Sequence, residues 1–481
     1  MLWESARPLS IISGGCMKRF FVAIGLTMAV VAAAMGAAEA VDIPWSHGEL
    51  RVSGDGRYLC HTDSTPFFWL GETAWLMPER LNRDEVAYYL SRVAEAGFNV
   101  VQVQTINDVP ALNIYGSKSM KGDYDFEQTV AGDDYGYWEH VDYIVDQAAK
   151  EGIYVGMVCI WGGLVKGGKM DVAQARRYGR FLGERYGNRP NIVWIIGGDI
   201  RGDVKTEVWN ALAESIRAVD SRHLMTFHPF GRTCSATWFH NAEWLDFNMF
   251  QSGHRRYGQK KGDGDYTDPE DNEEDNWRYA EKALSLEPVK PVLDAEPSYE
   301  GIPQGLHDVT EPRWGASDVR RYAYWSVFAG SCGHTYGNNS IMQFYRPGYV
   351  AAYGATKTWI ESLDDAGFNQ MRHLKRLMSI FPPGTHRPDQ SVIAGEQGER
   401  YERLTALRGD DYILVYNYSG REMSVDVGFL GVENVKARYF NPEDGEMTPA
   451  TYTRNGNVVT FTPTAGRDVV LIVTASSREF F

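Results

Sequence analysis

Cysteine is scarce in this chain, and its few copies follow no paired pattern. The 481 residues include five cysteines, Cys16, Cys60, Cys159, Cys234 and Cys332, without any C-x-x-C pair. Disulfide frameworks and structural zinc sites need suitably spaced thiols, so the sequence argues against both. Cys159 lies in an apolar stretch and Cys332 beside a glycine, so we expect both to be small buried side chains.

Positive charge is also in short supply. Lys and Arg number 48 against 63 Asp and Glu, which leaves a formal net charge of −15. Binding to nucleic acid or to an anionic membrane surface needs a basic face, because those partners carry phosphate groups. The charge therefore argues against a nucleic-acid partner and against docking on a membrane.

Several catalytic signatures are missing. The sequence has no G-x-G-x-x-G and no P-loop, which argues against a nucleotide cofactor. It has no G-x-S-x-G element, so a serine nucleophile has little support. Four histidines, His228, His254, His307 and His334, lack the H-E-x-x-H spacing of a zinc site. We therefore expect neither a metal nor a cofactor, and interpret these histidines as groups on the rim of a site.

The N-terminus has the layout of an export signal. Lys18 and Arg19 precede an apolar run over residues 20–36, and Ala38 and Ala40 supply the small residues of a cleavage site. We expect residues 1–40 to be a signal peptide, with Met17 as an alternative start, and cleavage after Ala40. The alternative is an uncleaved N-terminal anchor. Either way the protein would be exported, to the periplasm or outside the cell.

Helical and buried-strand patterns alternate through the first three quarters of the chain. Asn82 and Glu85 resemble a capping box at the start of a helix, and Gly97 then precedes an apolar strand. The eight candidate strands are 67–71, 99–103, 154–158, 191–196, 224–227, 247–250, 291–294 and 333–336. Eight buried strands alternating with helices favour a closed (β/α)8 barrel, over residues 41–385. An open doubly wound sheet is the alternative, but it normally brings a Gly-rich phosphate loop.

The pattern changes after Pro382-Pro383-Gly384. Beyond this cluster come short alternating strands separated by Ser-Gly, Asp-Gly and Asn-Gly turns. This spacing is typical of a small antiparallel β-sandwich, and we place it at residues 386–481.

Catalytic groups of such a barrel lie at the carboxyl ends of its strands. Asp199 follows strand 4 and Glu296 follows strand 7, on opposite sides of the barrel. Hydrolysis of a glycosidic bond needs one carboxyl group that protonates the leaving oxygen and a second that attacks or activates water. Asp199 could instead cap a turn, and Glu296 could instead pair with Arg201 or Arg313. Asp294 and Glu72 compete for the second catalytic role.

Other polar and aromatic side chains follow the same strand ends, where they could bind a sugar. The candidate substrate-binding residues are Glu72, Trp75, Asn107, Asp108, Trp161, His228, Gln251, His254, Asp294, Tyr299, Tyr336 and Asn338. The acidic stretch 263–275 is interpreted as a solvated loop over the barrel mouth, with calcium binding as the alternative.

Three segments carry a family resemblance. They are 68–75 (FWLGETAW), 194–199 (WIIGGD) and 294–300 (DAEPSYE), and they resemble the apiosidase-like glycoside hydrolases (family 140). The resemblance covers roughly residues 45–475, and its last part is similar to a domain labelled collagen-binding. It implies a barrel with Asp199 as acid/base and Glu296 as nucleophile. Asp at the acid/base position departs from the Glu of most barrel hydrolases.

The function expected from this resemblance is cleavage of plant cell-wall (pectic) glycans by a two-carboxylate retaining mechanism, with apiose as a candidate sugar. An oligo- or polysaccharide is then the partner. One alternative is a non-catalytic carbohydrate- or matrix-binding protein on a barrel scaffold. Another is a metal-dependent hydrolase. The sequence does not specify the oligomeric state.

Overall fold

A computed structural model describes residues 43–125, 135–259, 272–464 and 468–475. The predicted signal peptide and most of the acidic stretch lie outside the described residues. Within the described ranges, no helix is both long enough and apolar enough to cross a membrane.

Eight parallel strands form the barrel predicted from the sequence. Numbered along the chain, barrel strands 1 to 8 are Trp69–Thr73, Val100–Gln104, Tyr154–Val158, Ile192–Ile200, Met225–Pro229, Asn248–Gln251, Val292–Asp294 and Gly333–Tyr336. They are hydrogen-bonded in the order 5-4-3-2-1-8-7-6, and the short strand Thr233–Cys234 runs antiparallel to strand 6. Strands 5 and 6 are joined by single hydrogen bonds, such as that from the Asp246 amide to the Met225 carbonyl at 2.9 Å.

Helices connect these strands and begin where the sequence supplies caps. Asn82 and Glu85 form the predicted capping box of the first long helix, and Asp171 and Gln174 form another. The longer helices are Arg83–Glu95, Tyr137–Lys150, Val172–Tyr186, Thr206–Arg217, Trp277–Leu284, Ala316–Phe328 and Ala366–Ile380. Shorter helices are Met77–Arg80, Gly162–Lys166, Ala236–Phe239, Asn339–Met342 and Trp359–Ser362.

The core has two layers because neighbouring residues of a strand face opposite sides of the sheet. In strand 4, Val193 and Ile195 pack in the barrel interior, whereas Trp194 and Ile196 pack against the surrounding helices. Cys159 and Cys332 are buried and free, as the sequence predicted. A small antiparallel sheet of Leu50–Val52, Leu59–His61 and Pro66–Phe67 precedes strand 1.

The C-terminal part is the predicted pair of antiparallel sheets. In hydrogen-bonded order, the larger sheet holds His386–Pro388, Leu404–Gly409, Tyr412–Asn417, Val469–Ala475, Val435–Phe440 and Met447–Pro449. The smaller sheet holds Met423–Asp426, Val458–Phe461 and Tyr452–Asn455. Apolar side chains between the two sheets, such as Val415 and Val459, form their shared core.

The larger sheet packs directly on helix Ala316–Phe328 of the barrel. Tyr324 stacks on Tyr416 with ring centroids 4.8 Å apart. The buried Arg320 donates to both carboxylate oxygens of Asp468, at 3.0 and 2.9 Å. The described residues from Ile43 onward consequently belong to one compact unit.

The end of the acidic stretch differs from the solvated loop predicted by the sequence. Glu274 is fully buried and pairs with Arg321 at 2.5 Å, and Asp275 is buried beside Arg278. The expectation of a solvated loop is therefore wrong for these residues, because helix Ala316–Phe328 supplies a buried cation that a carboxylate must neutralise.

Candidate active site

An open cleft of about 800 Å³ lies at the carboxyl ends of the barrel strands. Eight of the residues predicted from the sequence line it: Trp75, Asn107, Trp161, Asp199, Gln251, His254, Glu296 and Tyr299. They lie at or just after the carboxyl ends of strands 1, 2, 3, 4, 6 and 7. Closure of the barrel therefore brings together side chains that are far apart in sequence. The strand-end reasoning therefore located the cleft.

A bulge at the end of strand 4 aims Asp199 into the cleft. The register with strand 5 shifts between Gly197 and Ile200, and the φ angles of Gly197, Gly198 and Asp199 are 83°, 121° and 50°. A side chain at Gly197 would meet the His228 carbonyl, and one at Gly198 would meet the Trp161 ring. The two glycines therefore leave the backbone free to turn, and a bulge beside an active site commonly re-aims one side chain.

The surroundings of Asp199 favour its protonated form. Burial and, after it, the nearby charge of Glu296 raise the pKa of Asp199 to about 7. Hydrogen bonds from the Gln251 side chain and the Gly231 amide oppose this rise only in part. Asp199 therefore has the properties of a general acid close to neutral pH.

Glu296 has the opposite electrostatic setting. Burial alone would raise its pKa, but a hydrogen bond from His254, the charges of His228 and His254, and the Tyr299 hydroxyl outweigh burial and lower it. His254 Nε2 lies 3.2 Å from one carboxylate oxygen, and His228 Nε2 lies 3.4 Å from the other. Tyr299 lies near the carboxylate but without standard hydrogen-bond geometry. Glu296 is therefore held as a carboxylate.

His228 links the two acids. The Asp199 amide donates to His228 Nδ1 at 3.4 Å, so this nitrogen is the acceptor and the ring proton belongs on Nε2, which faces Glu296. Burial lowers the pKa of His228, and the nearby charge of Glu296 opposes this lowering. His228 is fully buried, so it acts behind Glu296 rather than as part of the cleft wall.

Aromatic rings form one wall of the cleft. Trp75 and Trp161 lie with ring centroids 5.6 Å apart, and Trp75 meets the His228 ring edge-on at 5.5 Å. His254 packs edge-on against Tyr299 at 4.9 Å. Flat apolar faces beside hydrogen-bonding groups are suited to a ligand that carries both C–H faces and hydroxyls, as a sugar does.

Two predicted carboxylates lie outside the cleft. Glu72 is fully buried on the outer face of strand 1, where Tyr89 of helix Arg83–Glu95 donates to it. Asp294 is fully buried and accepts from the Ser252 hydroxyl at 2.8 Å and from Asn276 at 3.0 Å. Neither reaches the lining of the cleft, so the expectation that they bind substrate is wrong for this arrangement.

Three further predicted residues also lie outside the cleft. Asp108 is exposed and accepts from the Val109 amide. Tyr336 is buried and donates to Glu300 at 2.5 Å, while Asn338 caps helix Asn339–Met342 through the Ser340 amide at 2.9 Å. Their side chains satisfy local structure, so their predicted binding role is not supported.

The competing ion pairs for Glu296 are not formed by the arginines considered. Arg201 pairs with Asp203, and Arg313 donates to the carbonyls of Gly301 and Gly354. Among the described residues, no group of three or more His, Cys, Asp or Glu side chains gathers closely enough to hold a metal ion.

Several lining residues were not anticipated from the sequence. They come mainly from the loops after strands 5 to 8, where no hydrophobic period marks their direction. These residues are Gln104, Phe230, Arg232, Arg255, Gln259, Leu306, Asp308, Met342, Gln343 and Tyr353, whereas His307 was expected on the rim. Three of them, Arg232, Leu306 and Tyr353, have positive φ angles of 59°, 79° and 51°.

Comparison with known proteins gives consistent matches. A family model described as "Apiosidase-like, catalytic domain" matches residues 53–383, and one described as "Putative collagen-binding domain of a collagenase" matches residues 387–474. A solved structure described as "Glycoside hydrolase" is 58% identical with a TM-score of 0.88, covering 91% of this chain and 99% of that chain. The crystal structure of a family 5 glycoside hydrolase from Bacteroides vulgatus ATCC 8482 is 57% identical with a TM-score of 0.88, covering 92% and 96%. No curated protein matches the chain significantly.

Proposed function

This chain belongs to the apiosidase-like family of glycoside hydrolases, and from that premise we propose that Asp199 and Glu296 cleave a pectic glycan by a retaining mechanism. The observation that carries the proposal is the pair of opposite pKa shifts in one cleft. The pKa of Asp199 is raised by burial and by Glu296, while that of Glu296 is lowered by its histidine neighbours against the effect of burial. Divergent pKa values in neighbouring carboxyl groups assign the acid and the nucleophile.

The proposed reaction proceeds in two displacements. Glu296 attacks the anomeric carbon while Asp199 protonates the oxygen of the leaving group, which gives a covalent glycosyl-enzyme. Water then enters, Asp199 removes its proton, and the sugar is released from Glu296 with its original anomeric configuration. Gln251 and the Gly231 amide orient Asp199, and His254 and His228 hold Glu296.

The pectic substrate is proposed from the family resemblance together with the shape of the cleft. An open volume of about 800 Å³ with paired Trp faces suits more than one sugar unit. Apiose is the candidate sugar at the bond that is cleaved. The non-catalytic alternative loses support because both acids are present in one cleft with the shifts that hydrolysis needs.

We also propose that the protein is exported by the segment 1–40. The support is the order of basic pair, apolar run and small residues in that segment. Mass spectrometry of protein recovered after export should find Val41 as the first residue, and a chain that still begins before Phe20 would refute cleavage.

The test of the proposed function is product analysis. Purified protein is incubated with pectic oligosaccharides of known structure, and the released sugar is identified by chromatography. One-dimensional NMR during the first turnovers then follows the anomeric signals. Retention is the expected result, since the two carboxyl groups should lie about 5–5.5 Å apart. Initial release of the inverted anomer would contradict the mechanism, and no release from any pectic substrate would contradict the substrate class.

The pH profile should report both acids. We expect kcat/KM to fall above about pH 7, where Asp199 loses the proton that it must donate, because burial and Glu296 raise its pKa to about 7. On the acid side, kcat/KM should fall only below the ordinary pKa of a Glu side chain, about 4.3. The reason is that the pKa of Glu296 is lowered. In Asp199→Asn the alkaline limb should disappear from the residual activity. An unchanged alkaline limb in that variant would assign it to another group.

A further inference from the structure

Resting on the glycosidase function above, we propose that the guanidinium of Arg232 binds an anionic substituent of the glycan beside Asp199. The ligand chemistry is a carboxylate or a sulfate ester attached to a sugar on the leaving-group side of the cleaved bond. Arg232 lines the cleft and only 8% of its surface is exposed.

Arg232 differs from the other buried arginines of the described residues. Arg320 pairs with Asp468 and Glu443, and Arg321 pairs with Glu274 and Asp318. Arg232 is slightly more exposed than these two, at 8%, and its side chain makes no hydrogen bond and no ion pair with any described residue. Burying a charge lowers the stability of the fold unless an opposite charge neutralises it. The missing partner of Arg232 is therefore expected in the ligand.

The backbone holds Arg232 in a demanding conformation. Its φ angle is +59°, in the left-handed region that non-glycine residues avoid. The turn is fixed because the Arg232 amide donates to the Gln251 carbonyl at 2.6 Å and the Thr233 amide donates to the Phe230 carbonyl at 3.1 Å. Strain of this kind persists where surrounding contacts over-determine it, often at ligand sites.

The arginine stem packs on Gly253. Gly253 has a φ of +81°, and a Cβ there would lie 3.4 Å from Arg232 Cγ, at ordinary van der Waals distance. The next residue along the chain, His254, contacts Glu296. The Arg232 side chain therefore lies over the loop that also positions the nucleophile's histidine partner.

The position of Arg232 relative to the acids indicates which sugar it meets. The preceding residue, Gly231, and Gln251 line the cleft with Asp199, and both lower the pKa of the Asp199 carboxyl. Asp199 protonates the glycosidic oxygen in the proposed mechanism, so its immediate neighbours lie toward the leaving group. The planar fork of a guanidinium pairs bidentately with carboxylate and sulfate oxygens, which makes the anion a specificity determinant.

The first test measures selectivity. Cleavage of a pectic oligosaccharide whose leaving sugar carries a free carboxylate is compared with cleavage of its methyl ester, for wild type, Arg232→Gln and Arg232→Lys. We expect wild type to prefer the acid, and the ratio of the two kcat/KM values to fall about 10- to 100-fold in Arg232→Gln. Arg232→Lys should recover part of the ratio, since it keeps the charge without the fork. An unchanged ratio in Arg232→Gln overturns the proposal.

The second test identifies the anion without using turnover. Isothermal titration calorimetry of the Glu296→Gln protein with galacturonate, galactose 6-sulfate and galactose compares three groups at the same carbon. Galacturonate binding that is lost on adding Arg232→Gln supports a carboxylate site, and selective binding of the sulfate supports a sulfate site. Equal binding of all three, or binding that Arg232→Gln leaves unchanged, overturns the proposal.

Stability separates a ligand-binding role from a structural one. Removing a buried charge that lacks a partner should leave the melting temperature of Arg232→Gln equal to or above that of wild type. Arg256→Gln is the matched control, because Arg256 lies outside the cleft lining and pairs with Glu311 at 3.2 Å. Its acid-to-ester ratio should match wild type. A strongly lowered melting temperature in Arg232→Gln, with equal losses on both substrates, overturns the proposal in favour of a structural arginine.

These experiments separate failure of the anion site at Arg232 from failure of the proposed glycosidase function. If no pectic glycan is cleaved but galacturonate binds in an Arg232-dependent way, the anion site stands and the pectic glycosidase proposal fails. If pectic glycans are cleaved with no dependence on charge at Arg232, the function stands and the subsite fails.

Discussion

Replacing Glu296 with Ala is expected to lower kcat/KM by about 10⁴-fold or more on every substrate, because no covalent intermediate can form without the nucleophile. The loss should be independent of the leaving group, since formation of the glycosyl-enzyme fails for all of them. Added azide should enter the space left by the side chain and attack the anomeric carbon directly. The product should be a glycosyl azide of inverted configuration, identified by NMR.

Asp294→Asn is the control for this nucleophile. Asp294 lies two residues earlier and was the main sequence competitor, but its carboxyl group is buried against Ser252 and Asn276 outside the cleft lining. An Asn of the same shape should keep activity within about tenfold of wild type, because it can accept the Ser252 hydrogen bond. Near-normal activity of Glu296→Ala, together with loss of activity in a well-folded Asp294→Asn, would indicate that Asp294 is the nucleophile.

The second large effect is expected at Asp199 and depends on the leaving group. Asp199→Asn should lower kcat/KM for a natural glycan by about 10²–10⁴-fold, because a poor leaving group must be protonated as the bond breaks. An aryl glycoside with an acidic phenol should lose much less, since its leaving oxygen needs no proton. Asn is the suitable replacement because it tolerates the left-handed backbone of Asp199, where φ is 50°.

Azide again distinguishes the role. Asp199→Gly keeps a residue suited to positive φ and opens space, so azide should accelerate breakdown of the glycosyl-enzyme and give a product of retained configuration. Asp203→Asn serves as the matched control, because Asp203 lies four residues away and pairs with Arg201 at the surface. It should show no dependence on the leaving group. Equal losses of Asp199→Asn on glycan and aryl glycoside would contradict general acid catalysis.

Much of the architecture follows from the sequence because the barrel repeats one simple pattern. Strands 3 and 8 begin and end at the predicted residues, and the remaining six are displaced only at their ends. The predicted family was confirmed, since its catalytic-domain model matches residues 53–383. The end of strand 4 was predicted four residues too early, because Gly197-Gly198 resembles a breaker rather than a bulge that continues pairing to Ile200.

The errors within the site have one physical source. A strand buried on both faces carries apolar residues at every position, so its sequence does not reveal which side chains point inward. Glu72 was expected at the cleft, yet it faces the helices, where Tyr89 binds it. Loop residues such as Arg232 and Tyr353 carry no periodic signal at all, and only the folded turns bring them to the cleft.

The buried contacts of helix Ala316–Phe328, including that of Arg320, limit how the barrel and the C-terminal β part can be exchanged by recombination. A chain that stopped near Gly384 would keep the barrel strands but would leave Arg320 without Asp468 and would strip Tyr324 of its partner Tyr416. Removing one partner of a buried pair typically costs about 3–5 kcal/mol, a large share of the stability of a folded domain. Recombination that exchanged the β part alone would therefore have to preserve the barrel-facing side of its larger sheet. We expect the contacting residues of the two parts to change together during evolution. Recombination that separates the barrel from its β part should therefore be rare.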